Sequence, residues 1–221
     1  MKANRKNNPF ATFGAGVAIG TLGGLIGLGG AEFRLPLLIG MFGFGALEAV
    51  ILNKAMSLVV VALALPFRTG SIHFSEVLGR WDIIITLLSG SVFGAWFGAG
   101  WVTKLNSEVL HQVIAVLLVI IAIVLLFSHD PAGSNMPLLE GSSLVFVGII
   151  AGIGIGVVAA LLGVAGGELL IPTIVLLFGA DIMLAGSLSL AVSLPTMITG
   201  FTRYSLDQSF SVIRRQRRFL V

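Results

Sequence analysis

The chain contains no cysteine. That excludes disulfides, thiolate metal sites, iron–sulfur clusters and a catalytic thiol. Charge is scarce as well: 13 basic and 10 acidic residues in 221, or 10%. A soluble domain carries about 25% charged residues and has to cover its surface with polar groups. So few charges exclude a soluble enzyme, a nucleic-acid-binding domain and a disordered chain. What fills the sequence is apolar: 57% hydrophobic residues and a mean hydropathy of +1.06. The composition is that of an all-α, multi-pass integral membrane protein. The net charge of +3 is concentrated at the ends. Lys2, Arg5 and Lys6 precede the first apolar run, and Arg203, Arg214, Arg215, Arg217 and Arg218 lie near the finish. Basic ends flanking apolar spans point to membrane orientation rather than nucleic acid.

A membrane-crossing helix needs about 20 mainly apolar residues. Six runs qualify: Phe10–Leu28, Ala46–Pro66, Ile83–Val102, Val109–Phe127, Leu144–Leu162 and Ile182–Phe201. Phe33–Phe44 and Leu169–Phe178 are too short to cross straight and read as half-helices or re-entrant segments, which bilayers tolerate only inside protein or beside a cavity. The basic start and following apolar run also fit the first two regions of a signal peptide. Many glycines and the membrane sequence beyond favour a retained first helix. Residues 1–9 form a basic N-terminus, 10–127 a first half, 128–143 a polar linker and 144–221 a second half. A second polar loop covers Arg68–Trp81.

The halves repeat. A shift of 136 lays residues 25–58 on 161–194 without a gap, with 12 of 34 positions identical. Among the matches are Gly30 with Gly166, Glu32 with Glu168, Pro36 with Pro172 and Ser57 with Ser193. Apolar composition matches leucines easily but does not place Gly, Glu, Pro and Ser in register. Duplicated short segments interrupted by Gly and Pro are the best sequence pointer to a transporter's binding site. Basic ends and a middle loop without Lys or Arg place both ends in the cytoplasm and the linker outside. Each half then crosses an odd number of times, which makes the copies inverted. Lys104 falls inside as the rule requires; Arg68 and Arg80 fall outside, against it. The shift also runs off the end at Val221, so two further spans are expected beyond it.

The duplicated loops are GLIGLGGAEFRLP (24–36) and ALLGVAGGELLIP (160–172). Glycines break a helix and let backbone approach a ligand. The next half-helix then starts with unpaired N–H groups that attract an anion. The bland alternative is close packing of small residues, the reading given to the G-x-x-x-G steps Gly16/Gly20, Gly90/Gly94/Gly98 and Gly148/Gly152/Gly156. On this basis Gly30→Val should block the site, and Gly94→Ala should be mild. The candidate substrate-binding residues are Gly27, Gly29, Gly30, Glu32, Pro36, Asn53, Lys54 and Ser57 in the first copy. In the second they are Gly163, Gly166, Gly167, Glu168, Pro172, Ser189 and Ser193. Glu32 and Glu168 are acids at membrane depth, costly and functional by default. They read equally as proton carriers or as caps of half-helix N-termini, and an ionised acid there competes with an anionic substrate. Lys54, whose counterpart is Leu190, reads as an anion ligand, a partner of Glu32 or Glu48, or a side chain snorkelling to the interface. Asn53 and Ser57 on the same stretch favour the first. Arg34 aligns with Leu170 and is the weaker cation of the same kind. His73, His111 and His129 have no ligand spacing, so no metal is expected. The GxG pattern at Gly152–Gly156 lacks the strand and lysine of a nucleotide loop, and no other cofactor is indicated.

The paired loops, each followed by a polar stretch (Ala49–Lys54 and Ala185–Ser189), together with Gly200–Arg218, resemble the sulfite exporter TauE/SafE family of membrane transporters. The resemblance runs from about Ala11 to Arg218. Ala31 and Ala165 stand where the family's loops carry glycine, and Glu32 and Glu168 where they carry an apolar residue. The resemblance implies a protein of the cell's inner (plasma) membrane that exports sulfite, sulfonates or related organosulfur anions. The expected partners are thus a small anion and the lipid bilayer, with a homo-oligomer left open and no nucleic acid. No catalytic constellation is present, so an enzyme is not expected. Two rivals remain: a non-transporting membrane scaffold, resting on the G-x-x-x-G density and on the two spans expected beyond Val221, and a proton- or cation-coupled carrier of another solute, resting on the two glutamates.

Overall fold

The structure is a computed structural model that describes residues 9–26, 29–68, 74–127 and 141–215. Among these residues all regular structure is helical: α1 Pro9–Ile26, α2 Ala31–Gly40, α3 Ala46–Arg68, α4 Phe74–Gly79, α5 Trp81–Val102, α6 Ser107–Phe127, α7 Gly141–Leu162, α8 Gly167–Phe178, α9 Ile182–Tyr204 and α10 Ser211–Arg215. The six expected spans correspond to α1, α3, α5, α6, α7 and α9, and the two short apolar pieces to α2 and α8. The expected linker lies outside the described residues except for its last three, Gly141–Ser143, which open α7. The short helix α4 sits where a polar loop was expected. A single 3₁₀ turn, Gln208–Phe210, and α10 follow α9. The elements keep the spacing of the repeated sequence: α8 starts 136 residues after α2, and both ends of α9 lie 136 residues beyond those of α3.

Among the described residues, four helices are long and apolar enough to cross a membrane: α3, α5, α7 and α9. On α5, Trp81 and Trp101 stand at opposite ends, both exposed. At 1.5 Å per residue their separation is roughly 30 Å, the thickness of a bilayer's hydrocarbon core. Tryptophan favours the two membrane–water boundaries. Large apolar side chains turn outward between them, such as Phe93 and Phe97 on α5, Val116 and Ile120 on α6, and Phe146 and Ile150 on α7.

The inward face is built from small residues. Lipid tails are as apolar as leucine, so helices in a bilayer associate through close van der Waals contact rather than hydrophobic exclusion. Helix α5 lies along α7 with Gly90, Ser91, Gly94, Ala95 and Gly98 buried against Gly148, Gly152 and Gly156. A Cβ added at Gly152 would stand 3.2 Å from the Ser91 backbone nitrogen, and one at Gly98 3.0 Å from the Val157 Cα. At Gly94 the added carbon would collide with the Ile153 carbonyl and reach its Cα at 3.0 Å. Gly94→Ala is therefore not the mild change expected from sequence, because the neighbour is backbone and cannot move aside. Gly16 and Gly20 meet nothing within 4 Å and do not serve this packing. Helix α9 closes on α5, where the hydroxyls of Ser91 and Thr196 share a 2.7 Å hydrogen bond. It also packs on α3 and α8, which brings the two duplicated loops to a common centre.

Candidate functional site

Each duplicated loop ends one helix and starts another. Helix α7 stops at Leu162 because Gly163 takes φ 66°, a left-handed conformation that suits glycine. The Val164 N–H then bonds back to the Ala159 carbonyl (3.1 Å) and the Gly163 N–H to that of Ala160 (3.2 Å). This pair of bonds is a Schellman motif. The last turn of a helix still leaves carbonyls short of donors, and buried side chains from two other helices supply them. Lys54 Nζ donates to the carbonyls of Ala159 (3.1 Å) and Val164 (3.0 Å). Asn53 Nδ2 donates to Leu162 (3.1 Å) and across to Ala31 at the start of α2 (3.0 Å). The Tyr204 hydroxyl donates to Ala160.

The helices that follow begin on glycine. Gly30 (φ 72°) precedes α2 and Gly166 (φ 82°) precedes α8, and neither start has a side-chain cap. Their first backbone N–H groups are thus not taken by a capping side chain. Glu32 and Glu168 occupy the second position of their helices. Both starts open on one cavity of about 120 Å³, lined by Gly29, Ala31 and Arg34 on one side and by Ala165, Gly167 and Glu168 on the other. Helix α3 adds Ser57, and α9 adds Ser189 and Ser193.

Polar groups at this cavity are of two kinds. Arg34 is held in place, its Nε donating to Asn53 Oδ1 (3.0 Å) and its Nη2 to Ser57 Oγ (2.6 Å). A guanidinium carries five N–H groups, so this anchoring leaves donors over for a ligand. Ser189 donates to the Gly186 carbonyl (2.8 Å) within its own helix. The Ser193 hydroxyl and the carboxylate oxygens of Glu32 and Glu168 are buried without a hydrogen-bond partner. Buried polar groups are nearly always paired in a folded protein; three of these five atoms belong to Glu168 and Ser193 of the cavity lining, as suits a ligand site.

Six of the sequence candidates line the cavity: Gly29, Ser57, Gly167, Glu168, Ser189 and Ser193. Gly27 lies outside the described residues. Gly30 and Gly166 shape the helix starts, and Gly30 also packs on α1, where an added Cβ would stand 2.8 Å from the Ile19 carbonyl oxygen. Gly163 ends α7. Pro36 and Pro172 sit within α2 and α8, away from the cavity wall. Glu32 and Asn53 stand behind the wall, Asn53 as the anchor of Arg34. Lys54, read as the principal cation, does not line the cavity; it is fully buried against the end of α7. Arg34, read as the weaker cation, does. Sequence reasoning missed Tyr204, the chain's single tyrosine, whose signal was an amphipathic side chain closing an apolar helix.

These features define a helical membrane protein with a small, largely apolar cavity that carries a few polar groups between two broken helices, the general build of a solute carrier. The chain belongs to the sulfite exporter TauE/SafE family, whose pattern it matches over residues 12–214. That family comprises membrane transporters of anions rather than enzymes. No curated protein and no solved structure matches the chain.

Proposed function

We propose that this protein is a secondary exporter of small sulfur-containing anions, sulfite or short sulfonates. In this reading the anion sits between the starts of α2 and α8, near the bilayer midplane, at the interface of two inverted repeats. The observation that carries it is the meeting of two uncapped helix N-termini and the Arg34 guanidinium at one cavity. Unpaired N–H groups and the positive end of the helix dipole favour negative charge. A planar guanidinium suits an oxyanion's geometry, since two parallel N–H groups can meet two oxygens. In a buried cavity both attractions exceed their strength in water. The Ser193 hydroxyl supplies a further donor.

The scaffold reading loses one of its two grounds, because the G-x-x-x-G steps of α5 and α7 are occupied within the chain itself. Thermal unfolding of the purified chain with sulfite, thiosulfate, sulfate and short sulfonates tests the proposal. Sulfite or a sulfonate should raise the unfolding midpoint in a saturable way, since a ligand that binds only the folded state stabilises it. A midpoint indifferent to every anion would favour the scaffold instead.

A further inference from the structure

We propose that Glu32 and Glu168 act as one proton-binding pair, and that an anion enters the cavity together with a proton taken up by that pair. The inference rests on the anion reading above and adds the coupling ion.

The two acids come from different helices but converge. Glu168 lines the cavity and is 1% exposed, and Glu32 directly follows Ala31, which lines the same cavity from α2. All four carboxylate oxygens are buried, and no donor among the described residues pairs with them. Ionised carboxylates only accept hydrogen bonds. Two of them side by side repel, unless one proton sits between them and turns the contact into a hydrogen bond. The fold thus provides a place for a proton that nothing else in the structure fills.

The charges facing the pair are few. Arg34 on α2 lies near Glu32, and Lys54 on α3 near Glu168. Helix α7 carries no charged residue, nor does α1. Helix α9 carries Arg203 alone, at its far end, with the guanidinium 5.4 Å from the Trp96 ring centroid. On α3, Glu48 pairs with Arg215 at 2.7 Å, away from the cavity. The cluster therefore holds two acids and two bases. With all four ionised it is neutral, and an anion would enter against the Glu168 charge. With one proton added to the pair the cluster carries +1, and a monovalent anion restores neutrality. Net charge is expensive to bury in a low-dielectric interior, so anion and proton should bind as a couple. The same arrangement removes the competition between an acid and an anion that the sequence poses.

Ethanesulfonate is the probe, because it stays monovalent between pH 5 and pH 9 and takes up no proton itself. Calorimetric titration of the full-length chain in two buffers of different ionisation enthalpy counts protons taken up per anion. About one proton per anion is expected on the alkaline side, with affinity rising about tenfold for each pH unit of acidification. Glu32→Gln/Glu168→Gln should bind ethanesulfonate with no proton uptake and no pH dependence, since the amides supply neutral donors of the same shape. Binding by the unaltered chain without proton uptake would overturn the coupling and leave the anion reading intact. Proton uptake that survives in the double variant would also overturn it, as would affinity that follows sodium concentration instead of pH. Absence of binding at every pH would overturn both readings together.

Discussion

Replacing Arg34 by Met is expected to weaken sulfite or ethanesulfonate binding by roughly 10- to 150-fold, the range of about 1.5–3 kcal/mol found for hydrogen bonds to charged groups. Arg34 is the cation on the cavity wall, and its side chain is fixed by Asn53 and Ser57 rather than free to find other partners. Calorimetric titration of the purified variant checks the value. Arg34→Lys should fall between the unaltered chain and Arg34→Met, because the charge is kept while the planar fork and its anchoring are lost. The methionine variant also strips a donor from Asn53 Oδ1 and from Ser57 Oγ, so its unfolding midpoint should be recorded alongside. A folded Arg34→Met protein that binds as tightly as the unaltered chain would remove Arg34 from the site.

Lys54→Met should act chiefly on stability. The substitution keeps the length of the side chain but takes the Lys54 donor from the buried Val164 carbonyl and leaves the Ala159 carbonyl with the Val164 N–H alone. One unpaired buried acceptor costs about 1–3 kcal/mol. A chain of this size should then unfold at a temperature lower by roughly 2–12 °C. Because Lys54 also faces Glu168, anion affinity of the folded fraction should fall as well, but by less than in Arg34→Met. If stability is unchanged while affinity falls by tenfold or more, Lys54 is a ligand after all and the end of α7 is held in some other way.

The contrast between these two cations shows how far the sequence could be read. Hydropathy located the long helices and the two short ones, because length and composition suffice for that. The 136-residue register located both loops. Asn53 and Ser57 lie four residues apart and so share one face of α3, whereas Lys54 is turned about 100° away from Asn53. The first two meet Arg34; the third meets the end of α7. Nothing within α3 says which neighbour lies on which side, since the carbonyls that hold Lys54 are more than 100 residues distant along the chain. Alignment to Leu170 made Arg34 look like an accident of one copy. Leu170 is buried in an apolar cluster with Ile174 and Leu188, whereas Arg34 lines the cavity, so equivalent positions in the two loops have unlike surroundings. Helix α4 escaped notice because six residues carry too little periodicity to stand out from a polar loop. Gly94 shows the limit for packing glycines: sequence marks the step, but only the partner helix shows that backbone stands where a methyl group would go.

The central claim concerns where the anion sits, and diffraction with selenite answers it most directly. Selenite has the shape and charge of sulfite, and selenium can be located by its anomalous scattering. The account predicts a peak in the cavity between the starts of α2 and α8, with oxygens within hydrogen-bonding distance of the Arg34 guanidinium, the Ser193 hydroxyl and the backbone N–H of Gly167. A peak elsewhere in the molecule, with that cavity empty in crystals of the selenite-bound protein, would contradict it.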